Sequence, residues 1–133
     1  MNIALTASDV KKELMIQFCI AYKGILGKHT LYATATTGRL VSEASGLPVQ
    51  RFLSGQQGGA QQISARIAYN EIDLLILFRD PMVSGAQDRE AELLRLCDLH
   101  NVPVATNVAT AEVLVLGLAR GDLDWREIVN PKK

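Results

Sequence analysis

The sequence has little of what would commit a chain to an unusual environment. It has two cysteines in 133 residues, Cys19 and Cys97, and each sits on a pattern that reads as a buried helix face. They lack the clustered spacing of a metal site, so the reading is two core thiols in a reducing compartment, with no metal site. A charge excess of one sign is also missing. Fourteen basic residues balance fourteen acidic ones, so no long-range field draws in nucleic acid or an anionic membrane. No apolar run approaches the length of a bilayer-spanning helix. The start, MNIALTASDVKKEL, has too short an apolar run for a secretory signal, and an acidic residue follows at once. A cytoplasmic location is the expectation. Repeats, linkers and low-complexity stretches are absent, and the length fits one domain over residues 1–133.

What is present is a filled core in the making: 48% of residues are hydrophobic, in short apolar runs that alternate with segments of helical period. Residues 2–7 read as a buried strand, followed by Asp9 as a helix N-cap. The next segment sets Leu14, Met15, Phe18, Cys19 and Tyr22 on one face. Further strands are expected at 30–34, 49–53, 73–78 and 103–106, with helices between them and a last helix at 109–118. The run DLLILF at 73–78 has no polar alternation, as suits a central parallel strand covered on both faces. The last helix is apolar almost all round, which fits deep burial or a subunit contact. The polar tail, GDLDWREIVNPKK, is expected to pack only through Trp125 and Ile128. Strands alternating with helices predict an α/β fold, a three-layer doubly wound five-stranded parallel sheet. Ligands of such sheets sit beyond the carboxyl ends of the strands.

Two loops at those ends carry anion-binding chemistry. Thr34-Ala35-Thr36-Thr37-Gly38 offers three hydroxyls where a helix opens, and a helix N-terminus adds free amides and partial positive charge. Ser54-Gly55-Gln56-Gln57-Gly58-Gly59 brings backbone amides within reach of a ligand. Lys12 lies close by on the first helix. Together they predict a phosphate pocket. His29 and His100 fall toward the opposite edge of the sheet and read as surface residues.

The stretches IALTASDVKKEL, LYATATTGRLVSEASGL, SGQQGGAQQISA, DLLILFRDP and LCDLHNVPVATNVATAE resemble the methylglyoxal synthase family over nearly the whole chain. The resemblance implies a flavodoxin- or Rossmann-like fold of that family, a homohexamer, no cofactor, and conversion of dihydroxyacetone phosphate to methylglyoxal and inorganic phosphate. It assigns phosphate contacts to Lys12, Thr34, Thr36, Thr37, Ser54 and Gly55, with Ser8, Ala35, Gly59, Ala60 and Gln87 as further lining of the pocket. It also exposes departures. Where the family reads Ala-His-Asp this chain reads Ala7-Ser8-Asp9. The base aspartate of Gly-Gly-Asp-Gln-Gln is Ala60, and Pro-His-Glu-x-Asp becomes Ala86-Gln87-Asp88-Arg89-Glu90, with Glu90 where an aspartate is expected.

Deprotonating the carbon beside a carbonyl needs a positioned base and a group that stabilises the enediolate oxygen. Ala60 offers no base, Gln87 transfers no proton, and Ser8 titrates too high to replace histidine. The main expectation is therefore a non-catalytic binder of a phosphorylated small molecule or nucleotide, acting as sensor, sponge or regulator. Gln56, Gln57, Gln61, Gln62 and Gln87 could then give neutral hydrogen bonds. Two alternatives stand beside it. One is a working lyase with a relocated base, Asp9 or Asp80. The other is an interaction protein with a vestigial pocket.

Overall fold

The computed structural model describes residues 1–83 and 90–129, apart from the side chain of Gln56. Strand β1, Asn2–Ala7, lies at the centre because four of its six residues are buried. It pairs in parallel with β2, Thr30–Ala33, on one side. On the other it pairs with β4, Leu74–Phe78, in register from Ile3↔Leu74 to Ala7↔Phe78. All five residues of β4 are buried, as its unalternating apolar run predicts. Strand β3, Gln50–Arg51, extends β2, and β5, Val104–Ala105, extends β4, giving the order β3-β2-β1-β4-β5 with every pair parallel. The edge strands are shorter than the sequence pattern implies. A strand paired on one side only has half the ladder to hold it, and short edges also resist unwanted pairing.

Helices cover both faces. The first crossover holds α1, Lys12–Ala21, and a single turn, α2, Lys23–Leu26. Then follow α3, Ala35–Ser45, α4, Gly59–Ala68, α5, Ala91–His100, α6, Val108–Arg120, and a short α7, Trp125–Val129. Because side chains alternate along a strand, Ile3, Leu5 and Ala7 face a cluster with Met15, Phe18, Cys19, Val41, Ala111 and Val115. Ala4 faces the other way, toward Ile63, Ile67, Leu93 and Cys97. These are the three layers. Both cysteines are free and buried, and burial pushes each thiol up to about 12. Among the described residues no helix is long and apolar enough to cross a membrane.

Three local expectations need correction. Asp9 does not cap α1: it opens a 3-10 turn, Asp9–Lys11, and α1 starts after it. The last helix is deeply buried on one face only, since Ala111, Val115 and Leu118 enter the core while Val113 and Leu116 stay exposed. The tail packs through a different residue. Trp125 is 45% and Ile128 81% exposed, whereas Arg126 is 0% exposed. The reason is Asp73, a carboxylate buried at the start of β4 that draws the guanidinium in, with Nε 3.4 Å from Oδ1. Arg126 also donates to the carbonyls of Asn101 and Ile72, and Asp73 Oδ2 accepts from the Asn2 amide at 2.8 Å.

Candidate active site at the strand ends

Strand order reverses between β1 and β4, and such a switch point opens a crevice at the carboxyl ends of the strands. A cavity of about 490 Å³ lies there. Its walls include Ser8 after β1, Thr34 and Thr36 at the β2–α3 junction, Ser54 and Gly55 after β3, and Asp80 after β4. Lys12 and Asp9 enter from the first crossover, Ala60 from α4 and Glu90 from the start of α5. Ten of the residues singled out from the sequence thus meet in one cavity.

The backbone repeats one device three times. Ser8, Thr34 and Ser54 each end a strand or its extension with φ/ψ of −64/162, −62/158 and −60/155. Each occupies the N-cap position of the following turn or helix, yet none makes the side-chain bond of a cap. Caps of this residue type ordinarily satisfy a first-turn amide. Withholding them leaves hydroxyls and amides together at the cavity wall. By contrast Asn107, at the start of α6, does cap, accepting from the Thr110 amide at 3.0 Å. At α3 the first-turn amides have no intrahelical acceptor, and the helix dipole adds positive potential where Thr34 and Thr36 face the cavity.

Lys12 supplies the cation. Its side chain is only 19% exposed, with Nζ 2.6 Å from the Ala7 carbonyl and 3.4 Å from Asp9 Oδ1. These contacts tether the ammonium beside the end of β1. Asp9 itself is 92% exposed. Asp80 is half-buried, and its Oδ1 accepts from the Met82 amide at 2.9 Å, which fixes the carboxylate.

The glycines differ in what they do. A Cβ on Gly59 would lie 2.1 Å from the Leu53 carbonyl oxygen, so the close approach of α4 to this loop requires glycine. Gly58, at φ +108°, supplies the left-handed turn before it. A Cβ on Gly55 would meet open space. Among the described residues nothing demands glycine there, and the position lines the cavity.

Some singled-out residues do not reach the cavity wall. Thr37 is buried, and its Oγ1 has no hydrogen-bond partner among the described residues. Ala35 and Gly59 support the wall without lining it. Gln62 pins the loop by accepting from the Leu53 amide at 2.7 Å, and Gln57 and Gln61 are exposed. Gln87, with Ala86, Asp88 and Arg89, lies outside the described residues, as does the side chain of Gln56. Conversely, Thr6, Ala7, Val83 and Leu93 also line the cavity. Thr6 and Ala7 were findable, being the last two residues of a predicted strand. Leu93 reads only as core, and Val83 as loop. His29 is held by the amino terminus, Met1 N to Nδ1 3.0 Å. Neither His29 nor His100 lines the cavity. Among the described residues no group of three or more His, Cys, Asp or Glu could hold a metal ion.

Comparison with known proteins decides the family, since residues 15–106 match the MGS-like domain. The chain belongs to the MGS-like domain family. Among its relatives, methylglyoxal synthase from Caldicellulosiruptor saccharolyticus is 65% identical over 99% of this chain and 94% of its own length. Methylglyoxal synthase from Oceanobacillus iheyensis is 52% identical over 100% of this chain and 96% of its own. The crystal structure of methylglyoxal synthase from Elizabethkingia anophelis matches with a TM-score of 0.80 at 41% identity, over 86% of this chain and 76% of that one. These findings overturn the expectation of a non-catalytic binder, a pseudoenzyme of this family. Close full-length relatives carry the name of the enzyme, which favours the working lyase. The structure offers a physical reason for the correction. A missing carboxylate at position 60 was read as a missing base, but Asp9, Asp80 and Glu90 all line the same cavity.

Proposed function

We propose that the chain is a methylglyoxal synthase, a lyase that converts dihydroxyacetone phosphate to methylglyoxal and inorganic phosphate. The observation that carries this reading is the full-length identity to methylglyoxal synthases. The meeting of phosphate donors and carboxylates in one cavity supports it. Thr34, Thr36, Ser54, Gly55 and Lys12 hold the phosphate group. Asp80 is the base, because Ala60 has no proton acceptor and Asp9 is solvated and paired with Lys12. A fixed, half-buried carboxylate is better placed to take a proton from carbon.

Asp80 removes a proton from the hydroxyl-bearing carbon, and that C–H electron pair forms the carbon–carbon double bond of an enediolate. The hydroxyl on the deprotonated carbon then gives up its proton, its oxygen pair forms the aldehyde carbonyl, and the carbon–carbon double-bond pair shifts to the next carbon–carbon bond and expels phosphate from the far carbon. The resulting enol takes a proton at its terminal carbon to give methylglyoxal. No electrons are gained or lost, so no redox partner is needed. A homohexameric assembly and a cytoplasmic location belong to the same proposal, and native mass spectrometry weighs the first.

The test is methylglyoxal release from dihydroxyacetone phosphate by the purified protein. Asp80→Asn should lower kcat by about 10²–10⁴-fold, the usual loss of a positioned acid or base. Wild-type protein that releases no more methylglyoxal than buffer sinks the lyase reading. Full activity in Asp80→Asn moves the base elsewhere.

A further inference from the structure

Beyond the end of β3 the chain leaves the sheet but stays close to β2. The Phe52 amide still donates to the Ala33 carbonyl, at 2.8 Å. Leu53 follows outside the strand, and its own amide and carbonyl need partners from elsewhere. Both find them. The amide donates to Oε1 of Gln62 at 2.7 Å, and the carbonyl accepts from the Ala35 amide at 3.3 Å. The leucine side chain is half-exposed, so the residue is held by its backbone more than by packing.

Those two bonds join the loops that bring hydroxyls to the cavity. Ala35 stands between Thr34 and Thr36, Leu53 directly precedes Ser54 and Gly55, and all four of these neighbours line the cavity. Gln62 reaches Leu53 from α4, which is a fixed post. The next residue along it, Ile63, is fully buried with Ile67 in the core on that face of the sheet. Gln62 itself is exposed and does not line the cavity. Its side chain gives up rotamer freedom to hold a backbone amide that is one residue from the cavity wall. A phosphate that takes donors from both loops needs them at one separation, and a displacement of about 1 Å can cost as much as 10²-fold.

We propose that Gln62 is a positioning residue, which through Leu53 sets the separation of the loops after β2 and β3 and so the affinity of the cavity for a phosphate group. The proposal rests on the phosphate cradle of the reading above. Gln62 acts at the phosphate end, remote from the proton transfer. It therefore supports bound substrate and transition state alike, and its loss should raise KM while leaving kcat unchanged.

The experiment compares wild type with Gln62→Met, which keeps the length of the side chain without its acceptor, and Gln62→Glu, which keeps the acceptor oxygen. Inorganic phosphate is titrated by calorimetry in about 0.5 M potassium chloride, where the added charge of the glutamate is screened within roughly 4 Å. Gln62→Met should weaken phosphate by about tenfold, the worth of one net hydrogen bond. Gln62→Glu should recover most of that loss. With dihydroxyacetone phosphate, Gln62→Met should raise KM by a similar factor at unchanged kcat. Amide hydrogen exchange gives a readout that needs no variant. Saturating phosphate should slow exchange at the Leu53 amide of wild type, because coupling between two events is reciprocal.

Wild-type phosphate affinity in Gln62→Met overturns the proposal, as does a loss that Gln62→Glu fails to recover. A fall in kcat at constant KM, or Leu53 exchange indifferent to phosphate, overturns it too. If wild type binds phosphate but makes no methylglyoxal, the lyase reading alone fails, and the titrations and exchange still decide the role of Gln62. If wild type binds no phosphate, the cradle and this proposal fall together.

Discussion

Replacing Arg126 with alanine takes the guanidinium from beside a fully buried carboxylate and strips the Asn101 and Ile72 carbonyls of a donor. Breaking a buried ion pair by removing one partner destabilises by about 3–5 kcal/mol. An unfolding entropy of about 2.1 cal/mol/K per residue gives this chain about 0.28 kcal/mol/K, so the melting temperature should fall by roughly 10–18 °C. Calorimetric melts of the two proteins at one pH and salt concentration measure it. The pair lies at the amino-terminal ends of β1 and β4, at the far end of the strands from the cavity. Phosphate affinity well below the transition should therefore stay at the wild-type value. Adding Asp73→Leu and exchanging Arg126→Ala for Arg126→Met should recover part of the loss, because apolar replacements of similar volume often do as well as the buried pair. A fall of less than about 3 °C, near 1 kcal/mol by the same entropy, would refute the claim that this pair holds the tail to the sheet.

Two glycines should separate folding from binding. Gly59→Ala, meeting the Leu53 carbonyl oxygen at 2.1 Å, should destabilise and disorder the loop after β3, whereas Gly55→Ala should melt like wild type yet bind phosphate more weakly; thermal melts and titration calorimetry check both. Thr37→Val removes a buried hydroxyl that has no partner among the described residues, so it should stabilise the ligand-free protein by about 1 kcal/mol, and a lower melting temperature would count against that. Both thiols sit at about 12, so a thiol reagent at pH 8 should label neither Cys19 nor Cys97 until denaturant is added. Burial, then the adjacent amino terminus, lowers the pKa of His29 below its usual 6.5. Its neutral form is the one the fold favours, so its contribution is present above about 6.5 and lost as pH falls through the lowered value. His29→Gln should flatten that acid limb in denaturant titrations, and an unchanged slope would exclude His29 as its source.

Much of the fold was legible because its signals are local. The unbroken run at 73–78 suits a doubly covered strand, and the helical period around Met15, Phe18 and Cys19 marks one buried helix face. The pocket was half legible. Hydroxyls and glycines at predicted strand ends pointed to an anion, and topology brought them together. What misled was reading catalysis one position at a time. Ala60 lacks a carboxylate, but a site is a volume, and three carboxylates from separate loops line it. Arg126 was also invisible in the sequence, where it sits in a polar tail between Trp125 and Glu127. Nothing local marks an arginine as buried, because the cause is Asp73, 53 residues away.

By itself, then, the sequence determined the five strands, their parallel arrangement and the chemistry gathered at their ends. These follow from periodicity and from the rule that parallel strands need helical crossovers. Only the tertiary structure decided which hydroxyls are withheld from capping, which glycine is needed by the backbone and which meets only open space. Each of these depends on distances between segments remote along the chain, which no local pattern encodes.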